Sequence, residues 1–347
     1  MGTTAVAESP LSRPPLRRRS RPVLALGLGL GALVVVVVAS VAVGAAPTTP
    51  GEVWDALVAP TGAPSDIVVR ELRVPRTLLG ILVGASLGVA GVLMQGHTRN
   101  PLADPGLLGI SGGAAFCVVL STSLLGVTDV FGYVWFAFGG AAVAALIVFA
   151  LGAASRGGPT PVTLALAGLA VSELLRALTS AVVLGDGSSL DAYRFWAAGA
   201  LDDRGASLTV QILPFVLAGL VLAAANVRAL DVLALGEDSA RGLGQDVTRA
   251  RVVGLTAVTL LTGASVAVSG PIGFVGLVAP HVVRSLVGPS HGRLMPLAGL
   301  VGAVLVLAAD VVGRVVVRPA ELAVGIVLGI VGAPFFVALV RRRLVRL

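Results

Sequence analysis

The sequence predicts an all-α membrane protein with about ten transmembrane helices, and its composition and long apolar segments are the main reasons. Hydrophobic residues make up 56% of the 347 residues and charged residues only 12%, whereas soluble domains contain about 25% charged residues. The first apolar segment, 23–46, is long enough to cross a bilayer and longer than the apolar core of a signal peptide. We therefore expect a multi-pass protein of the plasma membrane (the inner, or cytoplasmic, membrane).

Nine further apolar segments complete the predicted set. They lie at 77–95, 106–125, 132–152, 161–184, 207–226, 251–269, 273–287, 294–316 and 321–340. With the N-terminus inside, the cytoplasmic segments hold 17 arginines and the outer segments hold six, which satisfies the positive-inside rule. Ten helices place both termini in the cytoplasm. Residues 1–22 then form a disordered basic cytoplasmic arm, 23–343 form the membrane domain, and 344–347 form a cytoplasmic tail.

An internal repeat connects two of the predicted helices. The segment LVGASLGVAG at 82–91 matches LTGASVAVSG at 261–270 in six of ten positions. The copies lie in the second and the seventh predicted helix, five spans apart, so they run in opposite directions across the bilayer. Inverted repeats of this kind are typical of transporters, in which the pathway lies at the repeat interface.

Several chemistries are excluded by residues that the chain lacks. All 25 basic residues are arginine, so the lysine of a Walker A nucleotide site is missing and another polypeptide would have to hydrolyse any ATP. The single cysteine, Cys117, permits no internal disulfide. We predict no catalytic residue, no metal site and no bound cofactor. The net charge of +7 comes from arginines spread between apolar segments, which favours contact with membrane lipid over nucleic-acid binding.

Two predicted cytoplasmic loops carry further information. Arg99 to Phe116, RNPLADPGLLGISGGAAF, contains two prolines and an aspartate just before an apolar helix, which predicts a structured turn. The longest loop, 227–250, mixes leucines with acidic and basic residues and predicts one or two short amphipathic helices. Its acidic residues disfavour an anionic bilayer, so we expect this loop to dock on a partner protein.

The sequence resembles the FecCD family, the permease subunits of iron-siderophore and vitamin B12 ABC importers. The resemblance extends from about residue 22 to residue 343. The segments that carry it are RVPRTLLGILVGASLGVAGVLMQGHTRNPLADPGLLGIS (73–111), LALGEDSARGLG (233–244), GPIGFVGLVAPHVVRSLVGPSHGRLMPLAGLVGAVLVLAADVVGR (270–314) and PAELAVGIVLGIVGAPFF (319–336).

The resemblance implies a permease that dimerises, with an identical or a paralogous copy, around a central pathway. Two cytoplasmic ATP-binding subunits, which carry the ATP and Mg²⁺, would drive it, and an extracytoplasmic substrate-binding protein would deliver the ligand. Carried over by motif, Arg73, Arg76 and Arg314 are outer-face cations that pair with carboxylates of the binding protein. The residues carried over to ATPase coupling are Leu235, Gly236, Glu237, Ala240, Arg241, Leu243 and Gly244.

The four-residue spacing of Gly236, Ala240 and Gly244 adds a more detailed expectation. Residues four apart lie on one face of a helix. We therefore expect these three small residues to form a face that enters a cleft on the ATPase.

The expected substrate is a ferric siderophore, because YRFWAAGAL at 193–201 looks more like siderophore permeases than vitamin B12 permeases. Vitamin B12 or haem is the alternative. Glu173 and Arg176, in the fifth predicted helix, depart from the family pattern; they share a helix face and either pair structurally or line the pathway. An ion-coupled secondary transporter, using Glu173 or Asp310 as its carboxylate, is the alternative class. A non-transporting scaffold would leave the repeat unexplained.

Overall fold

The computed structural model describes residues 20–155, 160–201 and 205–344, and all regular structure in these ranges is helical. The predicted arm and tail therefore lie almost wholly outside the described residues. The α-helices are α1 (Ser20–Ala42), α2 (Pro50–Val58), α3 (Pro64–Ile67), α4 (Val74–Thr98), α5 (Ile110–Leu125), α6 (Val130–Ala154), α7 (Pro161–Gly185), α8 (Gly187–Ala197), α9 (Gly205–Leu233), α10 (Glu237–Gly242), α11 (Val247–Ser269), α12 (Val275–Val287), α13 (His291–Val316) and α14 (Val324–Leu344). A π-helical turn, Val68–Arg73, joins α3 to α4, and a 3-10 turn, Pro105–Leu108, precedes α5.

Each predicted apolar segment coincides with one helix. Seven of the described helical segments are long and apolar enough to cross a membrane, and α5, α12 and the apolar part of α14 are shorter apolar helices. The prediction of a multi-pass membrane protein is confirmed. The first helix ends at Ala42 rather than at residue 46, and Arg73 binds the carbonyl groups at its end.

Apolar side chains cover the outside of the helical bundle. In α1, Val23, Leu28 and Val35 are each largely exposed, although the helix carries no charge after Arg21. Such surfaces are unfavourable in water and suited to lipid. The described residues therefore have the apolar surface of a membrane protein.

The centre of the bundle is α4, which packs against α13, α11, α9 and α12. Glycines let the backbones approach closely: a β-carbon on Gly84 would overlap the Gly302 carbonyl oxygen, and one on Gly88 would overlap that of Ala298. Close backbone approach through small residues is how helices associate in lipid, where the hydrophobic effect is absent. The glycines of α4 are therefore packing residues.

The two copies of the repeat lie in α4 and α11, which contact each other. His97, near the end of α4, touches Gly254, near the beginning of α11, while Leu87 and Thr262 line one cavity farther along. The helices are therefore antiparallel, as predicted.

The bundle has two ends, which we name by one residue each. At the Arg76 end, the last turns of α1 and α13 meet the first turn of α4. At the His291 end, the last turns of α4 and α9 meet the first turns of α11 and α13. Residues 73, 76 and 314 share the first end, and α10 lies at the second, which agrees with the predicted topology.

Three short helices, α2, α3 and α8, were not predicted, and one predicted loop has different boundaries. α2 begins with a capping box between Thr49 and Glu52, and α8 packs back against α5 and α7. The predicted loop 227–250 is shorter than expected, since α9 continues to Leu233 and α11 begins at Val247. Only 234–246 lies outside these helices.

Candidate functional site

The segment 234–246 at the His291 end contains the predicted coupling residues. α10 occupies its middle and packs on α9 and α11 through Ala240, which is fully buried against Leu233, Val247 and Ala250. Leu235 and Leu243, on either side of α10, are 65% and 67% exposed. Exposed leucines of this kind favour contact with another apolar surface, and docking of the segment on a partner stays a prediction.

The expectation that Gly236, Ala240 and Gly244 form one helix face is wrong. α10 contains only six residues, and both glycines lie outside it: Gly236 precedes the helix with φ of 107°, and Gly244 follows it with φ of 79°. Ala240 faces the protein's own core rather than solvent. The large exposed apolar side chains of this segment are therefore the two leucines.

A groove of about 880 Å³ opens beside α10. It is lined by Thr98 and Arg99 after α4, by Thr160 and Val162 at the start of α7, and by the segment from Leu235 to Ser239. Arg99 and Asp238 both line this space, so the groove contains both signs of charge. Its size and position suit the insertion of a segment from a partner protein.

The predicted turn between Arg99 and Phe116 is confirmed. Arg99 ends α4 in the left-handed conformation, and Asn100 and Asp104 accept hydrogen bonds from the backbone N–H groups of Leu102 and Gly106. Burial raises the pKa of Asp104, while the hydrogen bond from Gly106 opposes this shift. The turn directs the chain back into the bundle at α5.

At the Arg76 end, three arginines bind the end of α1 and a buried aspartate. Arg76 Nε and Nη2 lie 3.0 and 2.7 Å from Oδ1 of Asp310, and Nη1 lies 2.7 Å from Oε2 of Glu321. Arg314 pairs with the same Asp310 at 2.7 Å and donates to the carbonyl oxygen of Ser40 at 2.9 Å. Asp310 is completely buried, so its charge is compensated by two arginines.

Arg73 binds the same helix end. Its Nη1 donates to the carbonyl oxygens of Val41 and Ala42 at 3.0 and 2.9 Å, and its Nη2 donates to that of Ala46 at 2.6 Å. Positive side chains at a helix C-terminus satisfy the free carbonyl groups and the helix dipole. Arg73 and Arg314 are 4% and 1% exposed, so in this conformation both are engaged within the chain. Docking through these arginines stays a prediction.

Glu173 and Arg176 form an ion pair on α7, with 3.0 Å between Oε1 and Nη1. Both side chains are more than half exposed. Arg176 also lines a cavity of about 270 Å³ whose polar lining includes Ser111, Ser172, Thr179, Tyr193 and Trp196. The expected pairing is therefore present, and Arg176 borders a cavity of mixed polar and apolar lining beside α8.

Sequence reasoning missed Arg251 and Glu321. Arg251 is buried in α11 and pairs with Glu237, and Glu321 holds one side of Arg76. Both lie in or near the segments that carry the family resemblance, but only their partners had been singled out. Among the described residues, no group of acidic, histidine or cysteine side chains could hold a metal ion.

The helical bundle, its apolar surface and its antiparallel repeat define a polytopic membrane transport protein. The sequence profile of the FecCD transport family matches residues 32–342, and the chain belongs to this family. The expected family is thereby confirmed.

Known proteins of the same kind are similar over most of the chain. It is 43% identical to the Fe(3+)-citrate import system permease protein YfmD of Bacillus subtilis, over 84% of each chain. It is 46% identical to the ferric enterobactin transport system permease protein FepD of Escherichia coli, over 80% of this chain and 82% of that one. A solved structure described as a metal-chelate type ABC transporter, in an inward-facing conformation, matches with a TM-score of 0.81 and 30% identity over 92% of this chain and 99% of that one.

Other relatives are named for different cargoes. A cobalamin import permease of Halobacterium salinarum is 40% identical over 85% of this chain and 81% of its own, and a hemin transport permease of Yersinia pestis is 39% identical over 79% and 83%. Family membership therefore establishes an ABC importer permease, while these names span siderophore, hemin and cobalamin cargo.

Proposed function

We propose that this chain is the permease subunit of an ATP-driven importer of ferric siderophores. Membership of the FecCD family, together with the exposed leucines and the groove around α10, is the observation that carries this proposal. The relatives named for ferric citrate and ferric enterobactin support an iron chelate as cargo, as does the segment 193–201. Cobalamin or hemin remains the alternative cargo.

The membrane arrangement that fits this role has ten spans and both termini in the cytoplasm. The seven long helices and the three shorter apolar helices supply ten candidates. The His291 end then faces the cytoplasm and the Arg76 end faces outward. This orientation follows from the excess of arginines in the segments at the His291 end and in the terminal arm and tail.

The ATPase would bind at the His291 end. Leu235 and Leu243 project from the segment 234–246, and the groove beside them is open. Because the chain has no lysine, ATP and Mg²⁺ belong to the partner subunits. The permease itself would act as a transport subunit without its own ATPase chemistry.

The pathway would pass along α7, between this permease and a second one. A charged residue within a membrane segment is costly unless it faces a partner or a wet cavity. Glu173 and Arg176 share a polar face with Ser172 and Thr179, whereas Leu174 and Leu178 lie on another, exposed apolar face. This division of α7 fits a polar pathway on one side and lipid or the second permease on the other.

The extracytoplasmic binding protein would dock at the Arg76 end. Of the three arginines, Arg76 is the docking candidate, because its ion pair with the partly exposed Glu321 lies near the surface. Arg73 and Arg314 would support docking by fixing the end of α1 against α4 and α13. An ion-coupled mechanism is disfavoured, since Asp310 is held by two arginines and Glu173 by Arg176.

The test is co-purification of the chain with the products of neighbouring genes. We expect an ATP-binding subunit to remain bound through detergent extraction and a substrate-binding protein to bind the reconstituted complex. A chain that purifies alone and transports a chelate with an ion gradient, without ATP, would contradict the proposal.

A further inference from the structure

α10 is held in place by few contacts. It contains six residues and is bounded on both sides by glycines with positive φ, Gly236 and Gly244. Such glycines allow the chain to turn sharply. Its one buried apolar side chain is the methyl group of Ala240. A helix with so small an apolar anchor depends on other interactions for a fixed position.

One ion pair fixes α10 in its position. Arg251, in the second turn of α11, donates from Nη2 to Oε1 of Glu237, the first residue of α10. Among the described residues, this is the hydrogen-bonded side-chain link between α10 and another helix. The Arg251 side chain is 8% exposed. A buried guanidinium needs a paired anion, so Glu237 is directed inward rather than toward a partner protein.

Arg251 lies in a turn of α11 that contacts two other helices. One turn farther along α11, Gly254 contacts the ring of His97 in α4. The carbonyl oxygen of Ala250, the preceding residue, accepts a hydrogen bond of 2.7 Å from Nδ2 of Asn226 in α9. A displacement of Arg251 therefore moves the start of α11 against both α4 and α9.

The same end of the bundle contains a second hydrogen-bonded contact between helices. Asp231 Oδ1, on the last turn of α9, accepts from the backbone N–H of His291 at 2.9 Å and lies 2.7 Å from His291 Nδ1. This contact fixes α13 to α9 independently of α10. The ion pair from Arg251 ties α10 to α11 by side chains, in addition to the packing of α10 on α9.

We propose that Arg251 is a positioning residue that transmits movement of α10 to α11 and, through α4 and α5, which contact both α11 and α7, to the proposed pathway along α7. This inference rests on the proposed function, because it supplies the link between the ATPase contact and the membrane. The two exposed leucines bind the ATPase, and the Glu237–Arg251 pair converts the movement of that contact into movement of α11 against α4.

The inference is tested in vesicles that contain the complete complex, by measuring ATP hydrolysis and ferric siderophore uptake in parallel. Arg251→Met is compared with Arg249→Met, which removes an exposed arginine from the same part of α11. We expect the ATPase to stay bound in both variants and uptake per ATP hydrolysed to fall about tenfold in Arg251→Met only. The exchange Glu237→Arg with Arg251→Glu restores the pair and should recover most of the ratio.

A ratio in Arg251→Met equal to that of Arg249→Met would overturn the inference, and so would loss of ATPase binding in Arg251→Met. If Arg251→Met does not accumulate in the membrane, Glu237→Gln decides, because Glu237 is partly exposed and glutamine keeps its size. A fall in its ratio supports the inference, and an unchanged ratio overturns it. Absence of ATP-dependent uptake by the parent complex is a different result and would contradict the proposed function itself.

Discussion

Arg76 and Asp310 join α4 to α13, with Nε and Nη2 of the guanidinium both directed at Oδ1 of a completely buried carboxylate. Arg314 binds the other oxygen of the same carboxylate and extends to the end of α1. One aspartate thus organises two arginines, and the arginines hold three helices. The motif residues that the family resemblance associates with docking therefore also stabilise this end of the bundle.

Loss of Arg314 should destabilise the protein. Arg314→Met leaves carbonyl groups of Ser40 and Val43 without their donor and removes one of the two cations of Asp310. Breaking a buried ion pair on one side costs about 3–5 kcal/mol, and thermal unfolding in detergent measures it. Arg70→Met, at an exposed position of the same end, is the control. Equal melting temperatures for the two variants would show that the buried network does not contribute to stability.

Close packing of α4 against α13 should make Gly84 sensitive to a single methyl group. Gly84→Ala places a β-carbon on the Gly302 carbonyl oxygen, and overpacking of this kind costs about 1–3 kcal/mol. We expect a lower melting temperature. Gly139→Ala in α6 meets no atom within 4 Å and should melt like the parent. The packing account fails if the two variants melt alike.

The two exposed leucines beside α10 should control ATPase association. Leu235→Asp combined with Leu243→Asp places two charges in the contact without disturbing a buried residue. We expect much weaker co-purification of the ATPase and an unchanged melting temperature. Leu184→Asp, at an exposed leucine after the polar part of α7, is the control. Full ATPase recovery with the double variant would place the contact elsewhere.

Glu321 should compete with a docked carboxylate for Arg76. Glu321→Gln removes the internal anion without touching the buried Asp310 pair, so binding-protein affinity should rise up to about fivefold, as expected for a partly exposed ion pair. The increase should shrink at high salt, because salt screens such pairs. Affinity is measured on the reconstituted complex at two salt concentrations. An unchanged or lower affinity would argue against docking through Arg76.

Cysteine labelling should distinguish the two faces of α7. In a Cys117→Ser background, Glu173→Cys and Arg176→Cys should react with a small water-soluble thiol reagent, since both positions are on the polar face. Leu174→Cys, on the exposed apolar face, should be protected by lipid or by the second permease. Protection of all three cysteines in every nucleotide state would leave the Glu173–Arg176 pair a structural role only.

The membrane helices could be predicted because apolar length is a local property of the sequence. Each predicted segment corresponds to a helix, and the antiparallel repeat followed from ten residues in two places. α2, α3 and α8 were missed because short helices outside the apolar segments depend on caps and packing. The Thr49–Glu52 capping box is visible in the sequence and could have indicated α2.

The candidate site was harder to predict because its geometry depends on contacts between residues that are distant in sequence. The sequence named Asp310 as a candidate carboxylate, but its pairing with Arg76, 234 residues away in sequence, is a tertiary contact. The spacing of Gly236, Ala240 and Gly244 suggested a helix face that the positive φ of both glycines rules out. Glycine spacing alone does not reveal φ.

The most direct test of the proposed function is ATP-dependent uptake of a labelled ferric siderophore into vesicles. The vesicles contain this permease and its ATPase, with the binding protein outside, and ATP is compared with a non-hydrolysable analogue. The account predicts that the vesicles accumulate the iron chelate when ATP is supplied and accumulate little of it with the analogue. With ATP, it predicts less uptake of labelled cobalamin or hemin than of the iron chelate. Equal uptake with and without ATP hydrolysis, or preference for cobalamin, would contradict it.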